Sequence, residues 1–392
     1  MAKYNKSRLK LLIVAGARPN LMKVSPIIEA IKKHNKSKAR RTIDYSLVYT
    51  GQHYDRLMSE VFWQDLKLPK PHTDLKVGSA SHALQTANIM AAFEKVVLRL
   101  RPDIVVVVGD VNSTLASALV SAKLGIKVAH VESGLRSFDK SMPEEINRIL
   151  TDHLSDFLFV TEESALRNLK KEGINKQKVY YVGNVMIDTL IKLKEKAETS
   201  DIHQRLGIDI RRFRYALLTL HRPSNVDDRA IFKQLADALA SLSRYITIIF
   251  PVHPRTEKML KKFGLHDYFS LHNLKPAVNI HENKINCIDP LSYIDFIKLM
   301  SAATFVLTDS GGIQEETTIL GIPCLTIREN TERPVTIEKG TNILVGCSKK
   351  KIIKESKRIL DGKMRLKKRS PLRLWDGRAA ERIIDILSKA PC

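Results

Sequence analysis

The apolar residues in the first half of the chain form short continuous runs, and the segments between these runs have helical spacing. The runs predict strands at Lys10–Ala15, Tyr45–Thr50, Ile104–Val108, Lys127–Val131, Phe157–Val160 and Val179–Val182. After the first run, Leu21, Val24 and Ile28 recur at i, i+3 and i+7, which indicates an amphipathic helix. Continuous apolar strands that alternate with helices indicate a parallel sheet covered on both faces.

A second series of apolar runs follows a polar stretch from Lys192 to Asp209. It predicts strands at Tyr215–Leu220, Ile246–Val252, Ile285–Ile288, Phe305–Thr308 and Cys324–Ile327. We place the domain boundary in the polar stretch, which gives domains of residues 1–191 and 192–372 and a terminal segment of residues 373–392. The predicted fold class is α/β, with two doubly wound Rossmann-like domains that face a cleft and bind ligands at the carboxyl ends of their strands.

The composition is that of a globular protein with a strong positive charge. Of the 392 residues, 44% are hydrophobic and 27% are charged, which excludes collagen-like, disordered and coiled-coil classes. Lys and Arg number 65 against 42 Asp and Glu, so the formal net charge is +23. Because no aromatic platform accompanies the basic cluster near the C-terminus, we interpret it as a solvated face rather than a specific nucleic-acid site. The cluster consists of Lys349, Lys350, Lys351, Lys363, Arg365, Lys367, Lys368 and Arg369.

The sequence also bears on location and metal content. No apolar run approaches the roughly 18 residues that cross a bilayer, so we expect no membrane insertion. The first run leads into a Gly-Ala-Arg-Pro turn rather than a signal-peptide cleavage site, and we interpret it as a strand. The four cysteines contain no C-x-x-C pair, which argues against a zinc site and a disulfide framework and favours the cytoplasm. They are Cys287, Cys324, Cys347 and Cys392.

The first predicted strand ends in Gly16-Ala17-Arg18-Pro19-Asn20, and Lys23 follows one helical turn later. A glycine turn before a helix N-terminus offers backbone N–H groups to an anion, and Arg18 and Lys23 would add positive charge. The alternative is that Asn20 is a helix N-cap without a ligand. The motif has neither the glycine spacing of a dinucleotide fingerprint nor the lysine of a P-loop.

Three carboxylates of the first domain are candidate site groups, and two of them follow predicted strands. Asp110 follows the third strand, where it is either a helix cap or a site group, and Glu132 ends the next strand. A glutamate at the end of a buried parallel strand is unfavourable unless it is paired or functional. Glu144 has a structural explanation, because Ser141 and Glu144 match a capping box and Arg148 follows Glu144 at i, i+4.

Histidines and a Ser-Gly-Gly turn follow strands of the second domain. His221 and His253 each end a predicted strand, and a histidine can move a proton near neutral pH or hold a phosphate. Ser310, Gly311 and Gly312 follow another strand and open a helix. The glycines let the backbone approach a pyrophosphate, and a glutamate one turn later can accept from ribose hydroxyls. This segment therefore predicts a nucleotide site.

Ten motifs occur in one order across about residues 10 to 340: GARPNLMK, TGQH, VGDVNST, HVESGLRS, PEEINR, VGNVMID, LHRPSN, PVHPR, TDSGGIQEE and TERP. This set resembles the non-hydrolysing UDP-N-acetylglucosamine 2-epimerases over nearly the whole chain. The resemblance implies the glycosyltransferase-B fold, in which the terminal segment packs back on the first domain, and a homodimer. It further implies interconversion of UDP-N-acetylglucosamine and UDP-N-acetylmannosamine by UDP elimination and re-addition through a bound 2-acetamidoglucal, without a metal or other cofactor.

The resemblance also assigns residues of this chain to the site. It matches Asp110, Glu132 and Glu144 to the family's essential carboxylates, and His221 to its essential histidine. Which carboxylate acts as acid, as base or as cation stabiliser stays open. The other matches are substrate contacts: Arg18, Lys23 and Arg148 near the diphosphate or sugar, Ser310, Gly311 and Gly312 at the UDP phosphates, Glu316 at the ribose, Phe296 at the nucleotide, Arg333 at the sugar, and His253 as a site neighbour.

Two departures from the family pattern bear on specificity and regulation. The commonest bacterial motif is G-T-R-P-E, whereas this chain has Asn20, so a carboxylate at the cleft entrance is absent. Members that their own substrate activates have a second site for it, and the matching positions here are the segment Gln52–Asp55 and Asn88. We therefore expect weak or absent substrate activation, which a sigmoidal rate curve would contradict.

Four alternatives stay open. A hydrolysing relative would release free N-acetylmannosamine and UDP, and another relative would act on a modified sugar such as a 2,3-diacetamido uronic acid. A glycosyltransferase of the same fold would need an acceptor and does not require three carboxylates around the donor ring. A nucleic-acid-binding protein would explain the charge of +23 directly, and steep loss of affinity with salt would identify it.

Overall fold

The structure is a computed structural model that describes residues 8–37, 41–52, 62–271, 280–363 and 372–391. It divides into two compact units. The first contains the described residues up to Ile191 and from Leu372 onwards, and the second contains those from Lys192 to Lys363. Each unit is a parallel sheet whose strands alternate with helices, which confirms the predicted fold class.

Seven strands form each sheet in the described part of the chain. The first sheet has the order β3-β2-β1-β4-β5-β6-β7. Its strands are β1 (Arg8–Ala15), β2 (Thr42–Tyr49), β3 (Thr73–Asp74), β4 (Ile104–Val108), β5 (Lys127–Ser133), β6 (Phe157–Val160) and β7 (Val179–Tyr181). The second sheet has the order β10-β11-β9-β8-β12-β13-β14. Its strands are β8 (Tyr215–Thr219), β9 (Thr247–Pro251), β10 (Ser270–Leu271), β11 (Ile285–Ile288), β12 (Phe305–Thr308), β13 (Cys324–Thr326) and β14 (Asn342–Leu344).

The helices connect successive strands. They are α1 (Arg18–Lys36), α2 (His82–Leu100), α3 (Asn112–Lys123), α4 (Pro143–Leu154), α5 (Glu163–Lys171), α6 (Val185–Ala197), α7 (Ile202–Arg205), α8 (Pro223–Val226), α9 (Arg229–Ser243), α10 (Pro254–Phe263), α11 (Tyr293–Ala302), α12 (Gly311–Leu320), α13 (Pro334–Glu338), α14 (Lys349–Leu360) and α15 (Ala379–Ser388). Two 3₁₀ turns cover Lys176–Lys178 and His266–Tyr268. Within the described residues, no helix has both the length and the apolar character that a membrane crossing requires.

Strands with continuous apolar sequence have the boundaries that the pattern predicts. All five residues of β4 are buried, as expected for a central strand of a parallel sheet with both faces covered. The remaining predicted strands differ from the observed ones by one to three residues at an end. The pattern misses β3, β10 and β14, which contain only two or three residues each.

The strand order places one crevice at the carboxyl end of each sheet. In the first sheet β1 and β4 are neighbours, while the chain reaches β2 on the opposite side of β1. In the second sheet β8 and β12 hold the equivalent position. Ligands of doubly wound sheets bind where the strand order reverses in this way, so these two strand pairs locate the candidate site residues.

The C-terminal helix α15 belongs to the first unit and packs against α1. Asp188 of α6 accepts hydrogen bonds from the backbone N–H groups of Ala379 (3.1 Å) and Ala380 (2.7 Å), which caps α15. Burial raises the pKa of Asp188 to about 6. Just before the helix, the Trp375 indole N–H donates to the carbonyl of Thr161 at 2.8 Å.

Candidate functional site

Glu132 lies at the carboxyl end of β5 in an unusual backbone conformation. Its φ is +79°, in the left-handed region, and the pairing of β5 with β6 shifts register between Val131 and Ser133. Such bulges change the direction of a side chain, and strained residues of this kind cluster at functional sites. The Glu132 carboxylate is buried and forms an ion pair with Lys23 of α1. The structure therefore places two of the predicted site residues in contact.

Lys23 also lies against the turn that follows β4. A Cβ atom at Gly109 would lie 2.8 Å from the Lys23 ammonium nitrogen, so a side chain there would displace it. Gly109 has a φ of +69°, which glycine adopts at no steric cost. Glycine at this position therefore lets the ammonium group lie between the ends of β4 and β5.

Asp110 is held by Arg148 of α4. The Nε and Nη2 atoms of Arg148 lie 2.9 and 2.8 Å from Oδ2 of Asp110. Its Nη1 pairs with Glu145, whose carboxylate also accepts the backbone N–H groups of Ser137 (3.0 Å) and Phe138 (2.9 Å). The Asp110 side chain keeps 23% exposure, while that of Arg148 is 3% exposed. Arg148 thus orients a carboxylate that remains open to a ligand.

Two sequence predictions about Glu144 are wrong. Helix α4 begins at Pro143 with Met142 as N-cap, and the Ser141 hydroxyl donates to Asp139 at 2.6 Å, so there is no capping box. Arg148 pairs with Asp110 and with the residue after Glu144 instead of with Glu144. Within the described residues, no hydrogen bond or ion pair of Glu144 is seen. Its position in the first turn of α4 therefore has no structural explanation of the kind that the sequence suggested.

The interpretation of Asn20 as a helix N-cap is also wrong. The N-cap of α1 is Ala17, and the Asn20 carbonyl oxygen accepts the backbone N–H groups of Gly16 (3.1 Å) and Ala17 (2.9 Å). Its amide donates to the carbonyl of Val108 at 3.1 Å. Asn20 is buried, and these hydrogen bonds join the ends of β1 and β4. Arg18 is half-buried, with its guanidinium 4.7 Å from the centre of the Phe62 ring.

The segment predicted to correspond to a second substrate site is only partly described. Residues 53–55 lie outside the described residues. Gln52 is buried, where its side-chain oxygen accepts from the Ser113 hydroxyl at 2.9 Å and its carbonyl accepts from Gln85 at 3.3 Å. Asn88 is exposed on α2. Gln52 therefore belongs to the internal packing of the first unit, and weak substrate activation stays a prediction.

A buried chain of charges that the sequence did not indicate lies behind these carboxylates. His130 is fully buried, with Nδ1 2.7 Å from Asp152 and Nε2 2.8 Å from the carbonyl oxygen of Gly109. Asp152 also accepts from Arg136 at 2.7 Å, and Arg136 donates to Glu172 at 2.7 Å. Burial raises the pKa of Asp152, but the hydrogen bond and charge of His130, with Arg136, outweigh it and leave the pKa below its usual range.

In the second unit, His221 lies beside a buried aspartate that sequence reasoning missed. Asp309, directly after β12, accepts the backbone N–H groups of His221 (3.0 Å) and Arg222 (2.9 Å) and the amide of Asn225 (3.1 Å). Its Oδ1 lies 2.9 Å from Nδ1 of His221. Burial raises the pKa of Asp309, but the charge and hydrogen bond of His221 and these N–H groups lower it to about 2. The available signal was an aspartate that ends a buried strand directly before Ser-Gly-Gly.

The Asp309 carboxylate fixes the proton of the His221 ring. An ionised carboxylate can only accept, so Nδ1 carries the proton and Nε2 is the atom available to a ligand. The His221 side chain is 41% exposed. His253 lies next to it, with ring centres 5.9 Å apart, and its Nδ1 caps α10 by accepting the N–H of Arg255 at 3.1 Å. The structure thus brings the two predicted histidines together.

The Ser-Gly-Gly segment forms the N-terminus of α12, as the sequence predicts. The helix begins at Gly311, and Ser310 is an N-cap whose side chain makes no capping hydrogen bond. A Cβ atom at Gly311 would lie 2.5 Å from Nη1 of Arg333 and 2.8 Å from Glu332, so no other residue fits without displacing them. Backbone N–H groups at such a helix start bind anions.

Arginines and glutamates are packed beneath this turn. Nε of Arg333 lies 2.8 Å from Glu315, and its Nη1 lies 2.5 Å from Glu332. Glu332 also pairs with Arg328 at 2.7 Å. Arg333 is buried among these carboxylates and lies directly behind Gly311. Arg333 and its partner Glu332 therefore lie against the turn at Gly311, whereas the resemblance assigns Arg333 to the sugar.

Glu316 lies one turn into α12 and is fully enclosed. It accepts a hydrogen bond from the Tyr293 hydroxyl at 2.5 Å. Burial raises the pKa of Glu316 to about 7, against the effect of the Tyr293 hydrogen bond and with a contribution from the charge of Glu315. Phe296 is half-buried on α11, one turn after Tyr293, in the apolar cluster of the second unit. In the described part of the chain, no group of three His, Cys, Asp or Glu residues could hold a metal ion.

The chain is similar to known proteins over nearly its whole length. The profile described as UDP-N-acetylglucosamine 2-epimerase matches residues 35–388. The chain is 44% identical to the UDP-N-acetylglucosamine 2-epimerase of Methanocaldococcus jannaschii, over 97% of this chain and 99% of that protein. It is 37% identical to the UDP-2,3-diacetamido-2,3-dideoxy-D-glucuronate 2-epimerase of Pseudomonas aeruginosa, over 97% of this chain and all of that protein.

Solved structures show the same fold. The crystal structure of the M. jannaschii enzyme in complex with UDP-GlcNAc and UDP matches with a TM-score of 0.86 and 43% identity, over 97% of this chain and all of that one. The Neisseria meningitidis UDP-GlcNAc 2-epimerase bound to UDP-GlcNAc matches with a TM-score of 0.85 and 30% identity, again over 97% of this chain and all of that one. The protein belongs to the UDP-N-acetylglucosamine 2-epimerase family.

Proposed function

We propose that this protein epimerises UDP-N-acetylglucosamine at C2 to give UDP-N-acetylmannosamine. The observation that carries the proposal is Glu132, a buried carboxylate held in left-handed backbone at a strand end and paired with Lys23. Such strain costs about 1–3 kcal/mol and persists where it serves a function. Family membership and the names of the relatives at 44% and 43% identity support this substrate.

The reaction is an elimination followed by an addition. A carboxylate takes the C2 proton, the C2–H electron pair forms the C1=C2 double bond, and UDP leaves with the electron pair of the C1–O bond. UDP then adds back to C1 of the bound 2-acetamidoglucal, and a carboxylic acid protonates C2 on the opposite face. No oxidant or reductant is needed, because the proton lost from C2 is replaced by another proton.

The first unit supplies the groups that act on the sugar. Asp110, Glu132 and Glu144 share the work of base, acid and stabiliser of positive charge on the ring. Arg148 and Lys23 orient the first two carboxylates, as their ion pairs indicate. Arg18, half-buried at the start of α1, contacts the diphosphate or sugar.

The second unit supplies the groups that hold UDP. The backbone at Ser310, Gly311 and Gly312 binds the diphosphate at the start of α12, which its helix dipole favours. Glu316 accepts the ribose hydroxyls and Phe296 contacts the nucleotide. The other contacts that we propose are His221, which uses Nε2 to hold or protonate the departing diphosphate, His253 beside it, and Arg333 on the sugar side.

A second candidate substrate is a UDP-2,3-diacetamido uronic acid. The P. aeruginosa relative named for that substrate is 37% identical over its whole length, so the same elimination on a modified sugar is a specific alternative. A hydrolysing enzyme would form the same glycal and release N-acetylmannosamine and UDP. The three outcomes differ in their products.

The experiment is product analysis with two substrates. Purified protein is incubated separately with UDP-N-acetylglucosamine and with the diacetamido uronic acid derivative, and nucleotide sugars and free sugars are separated and quantified. We expect an equilibrium mixture of UDP-N-acetylglucosamine and UDP-N-acetylmannosamine, with no free sugar. Turnover of the uronic acid alone selects the second candidate, and free N-acetylmannosamine selects hydrolysis.

The protein acts as a homodimer in the cytoplasm in this proposal. Helix α2 exposes Leu84 (55%) and Leu98 (57%), and these positions, with Ala91 between them, repeat at i, i+7 and i+14 on one face. A stripe of this kind suits a second copy of the chain. Light scattering of wild type and of Leu84→Glu/Leu98→Glu tests this: a dimeric wild type and a monomeric variant are expected, and a monomeric wild type contradicts it.

A further inference from the structure

His130 is a titratable residue that the proposed reaction does not use. It is fully buried in β5, and each ring nitrogen has a single close partner. Nε2 lies 2.8 Å from the carbonyl oxygen of Gly109, and Nδ1 lies 2.7 Å from Oδ1 of Asp152. A carbonyl oxygen can only accept a hydrogen bond, so Nε2 carries a proton.

The proton on the other contact also belongs to the ring. Oδ2 of Asp152 accepts the backbone N–H of Gly134 at 3.0 Å and Nη2 of Arg136 at 2.7 Å. A backbone N–H and a guanidinium that both donate to Oδ2 favour the ionised carboxylate. Nδ1 must then donate, so both ring nitrogens are protonated and His130 is an imidazolium ion. The lowered pKa of Asp152 agrees with this assignment.

Charge balance leads to the same result. His130, Asp152, Arg136 and Glu172 form one chain of contacts, in which only Glu172 reaches the surface. With an imidazolium ion the chain has two positive and two negative charges. With a neutral ring the same four residues would carry a net charge of −1. The other charged groups near the ring are Lys23, which lies against Gly109, and its partner carboxylate on β5.

This chain of contacts is attached to the backbone on both sides of Glu132 and directly before Asp110. Asp152 binds His130 and the N–H of Gly134, which lie two residues before and two residues after Glu132. His130 also binds the carbonyl of Gly109, the residue next to Asp110. A single buried ion pair therefore fixes the strained backbone at Glu132 and the turn at Asp110.

We propose that His130 is an imidazolium ion that positions Asp110 and Glu132. His130 is a positioning residue, because it touches neither the substrate nor the reacting atoms. The charge state of His130 does not depend on which reaction the protein catalyses, whereas the expected effect on turnover rests on the proposed function.

Asp152→Asn removes the charge of the Asp152 side chain and keeps its shape. The amide can donate from Nδ2 to Nδ1 of a neutral His130, which keeps its proton on Nε2 for the Gly109 carbonyl. The amide oxygen still accepts from Gly134 and Arg136. The number of hydrogen bonds is conserved, and the ionic character of the contacts with His130 and Arg136 is lost. Glu172→Gln is the matched control, because it removes a carboxylate from Arg136 at the far end of the chain.

The charge state is measured directly by nitrogen NMR of the histidine rings in isotopically labelled wild-type protein, assigned through bonds. We expect both His130 nitrogens of the folded protein to be protonated at the pH of the turnover assay. Glu172→Gln keeps this signature, and Asp152→Asn shows a neutral ring protonated at Nε2. A wild-type ring with one unprotonated nitrogen at that pH overturns the proposal, and this result requires no variant to fold.

Turnover tests the positioning role. Misplacing catalytic groups by about 1 Å costs on the order of 100-fold, so we expect kcat of Asp152→Asn to fall about 10- to 100-fold with KM and UDP affinity nearly unchanged. Glu172→Gln should keep the wild-type kcat. If Asp152→Asn has a neutral His130 ring and a wild-type kcat, the positioning role of His130 is overturned. If wild type shows the imidazolium signature but no epimerisation, the proposed function fails and the charge assignment stands.

Discussion

Each unit has one histidine–aspartate pair at the carboxyl end of its sheet, and the two pairs differ in the surroundings of the second ring nitrogen. His130 is fully buried, and its Nε2 donates to the Gly109 carbonyl. His221 is 41% exposed, and in the described residues no hydrogen-bond partner of its Nε2 is seen. In both pairs Nδ1 lies within 3 Å of a buried aspartate.

This difference shows how one pair of residue types can serve two purposes. In the first unit, the aspartate and the carbonyl oxygen both require a protonated nitrogen, so the ring is a fixed positive charge inside the protein. In the second unit, Asp309 fixes one proton and leaves the other nitrogen free to accept or donate, which is what proton transfer or phosphate binding requires. The partner of the second nitrogen therefore determines whether the histidine supports the structure or contacts a ligand.

We expect the largest effect in the first unit, where the His130–Asp152 pair holds the backbone around Glu132. Glu132→Gln removes an acid–base group while keeping its shape, and such groups contribute about 100- to 10,000-fold to rate. We expect kcat to fall about 1,000-fold or more. Calorimetry with UDP should give wild-type affinity, because the second unit is unchanged. A variant with near-normal kcat would show that Glu132 is not part of the chemistry.

Asp309→Asn tests the His221–Asp309 pair, in which the ring is partly exposed, and should have the next largest effect. An asparagine amide facing Nδ1 would donate to it, which keeps His221 neutral and removes the carboxylate that stabilises the imidazolium ion needed to protonate the departing diphosphate. In a serine protease triad the corresponding change costs about 10,000-fold, and we expect about 100-fold here because His221 acts alongside three carboxylates. The measurement is kcat across pH 6 to 9, with Asn225→Ala as a control that retains the Asp309 carboxylate and its contact with His221. An unchanged profile would mean that the charge and tautomer of His221 do not matter for turnover.

Glu316 should make binding in the second unit depend on pH, with a smaller effect. Burial raises its pKa to about 7, so the carboxylate that would accept ribose hydroxyls forms as the pH rises through 7. Affinity for UDP-N-acetylglucosamine should therefore increase from pH 6 to pH 8, by at most about tenfold per unit for one proton. In the free protein the same shift has the opposite sense: its contribution to stability is complete below about pH 4.5 and is lost as the pH rises through 7.

The test is calorimetric titration with the sugar nucleotide at pH 6, 7 and 8. Glu316→Gln should bind more weakly at pH 8 and show little change with pH, since the amide does not ionise. A wild-type affinity that stays constant or falls over this range would contradict the assignment of Glu316 to the ribose.

The sequence predicted strand boundaries best where burial alone determines the residue type. Continuous apolar strands such as β4 and β12 have the predicted boundaries, because burial on both faces leaves only apolar residues. The edge strands β3 and β14 were missed, since two or three residues carry no periodicity. The Ser141 capping box failed because Asp139 competes for the hydroxyl, a local preference that the spacing alone does not reveal.

The candidate site was predictable only in part. Motif order identified Asp110, Glu132 and His221, but the ion pairs that orient them join residues far apart in sequence. Asp152 lies 22 residues from His130, and Asp309 lies 88 residues from His221. The strand order brings the ends of the non-consecutive strands β8 and β12 together, which places Asp309 beside His221, whereas Asp152 reaches His130 from α4, which packs against β5. A single sequence gives no direct signal for contacts at that separation.

The most direct test of the central claim is proton NMR of UDP-N-acetylglucosamine incubated with the protein in deuterium oxide. The elimination requires the C2 proton to leave and solvent to supply its replacement. We predict UDP-N-acetylmannosamine with deuterium at C2, and its loss in Glu132→Gln. Epimerised product that retains the original C2 hydrogen, or no turnover by a folded protein that binds UDP, would contradict the account.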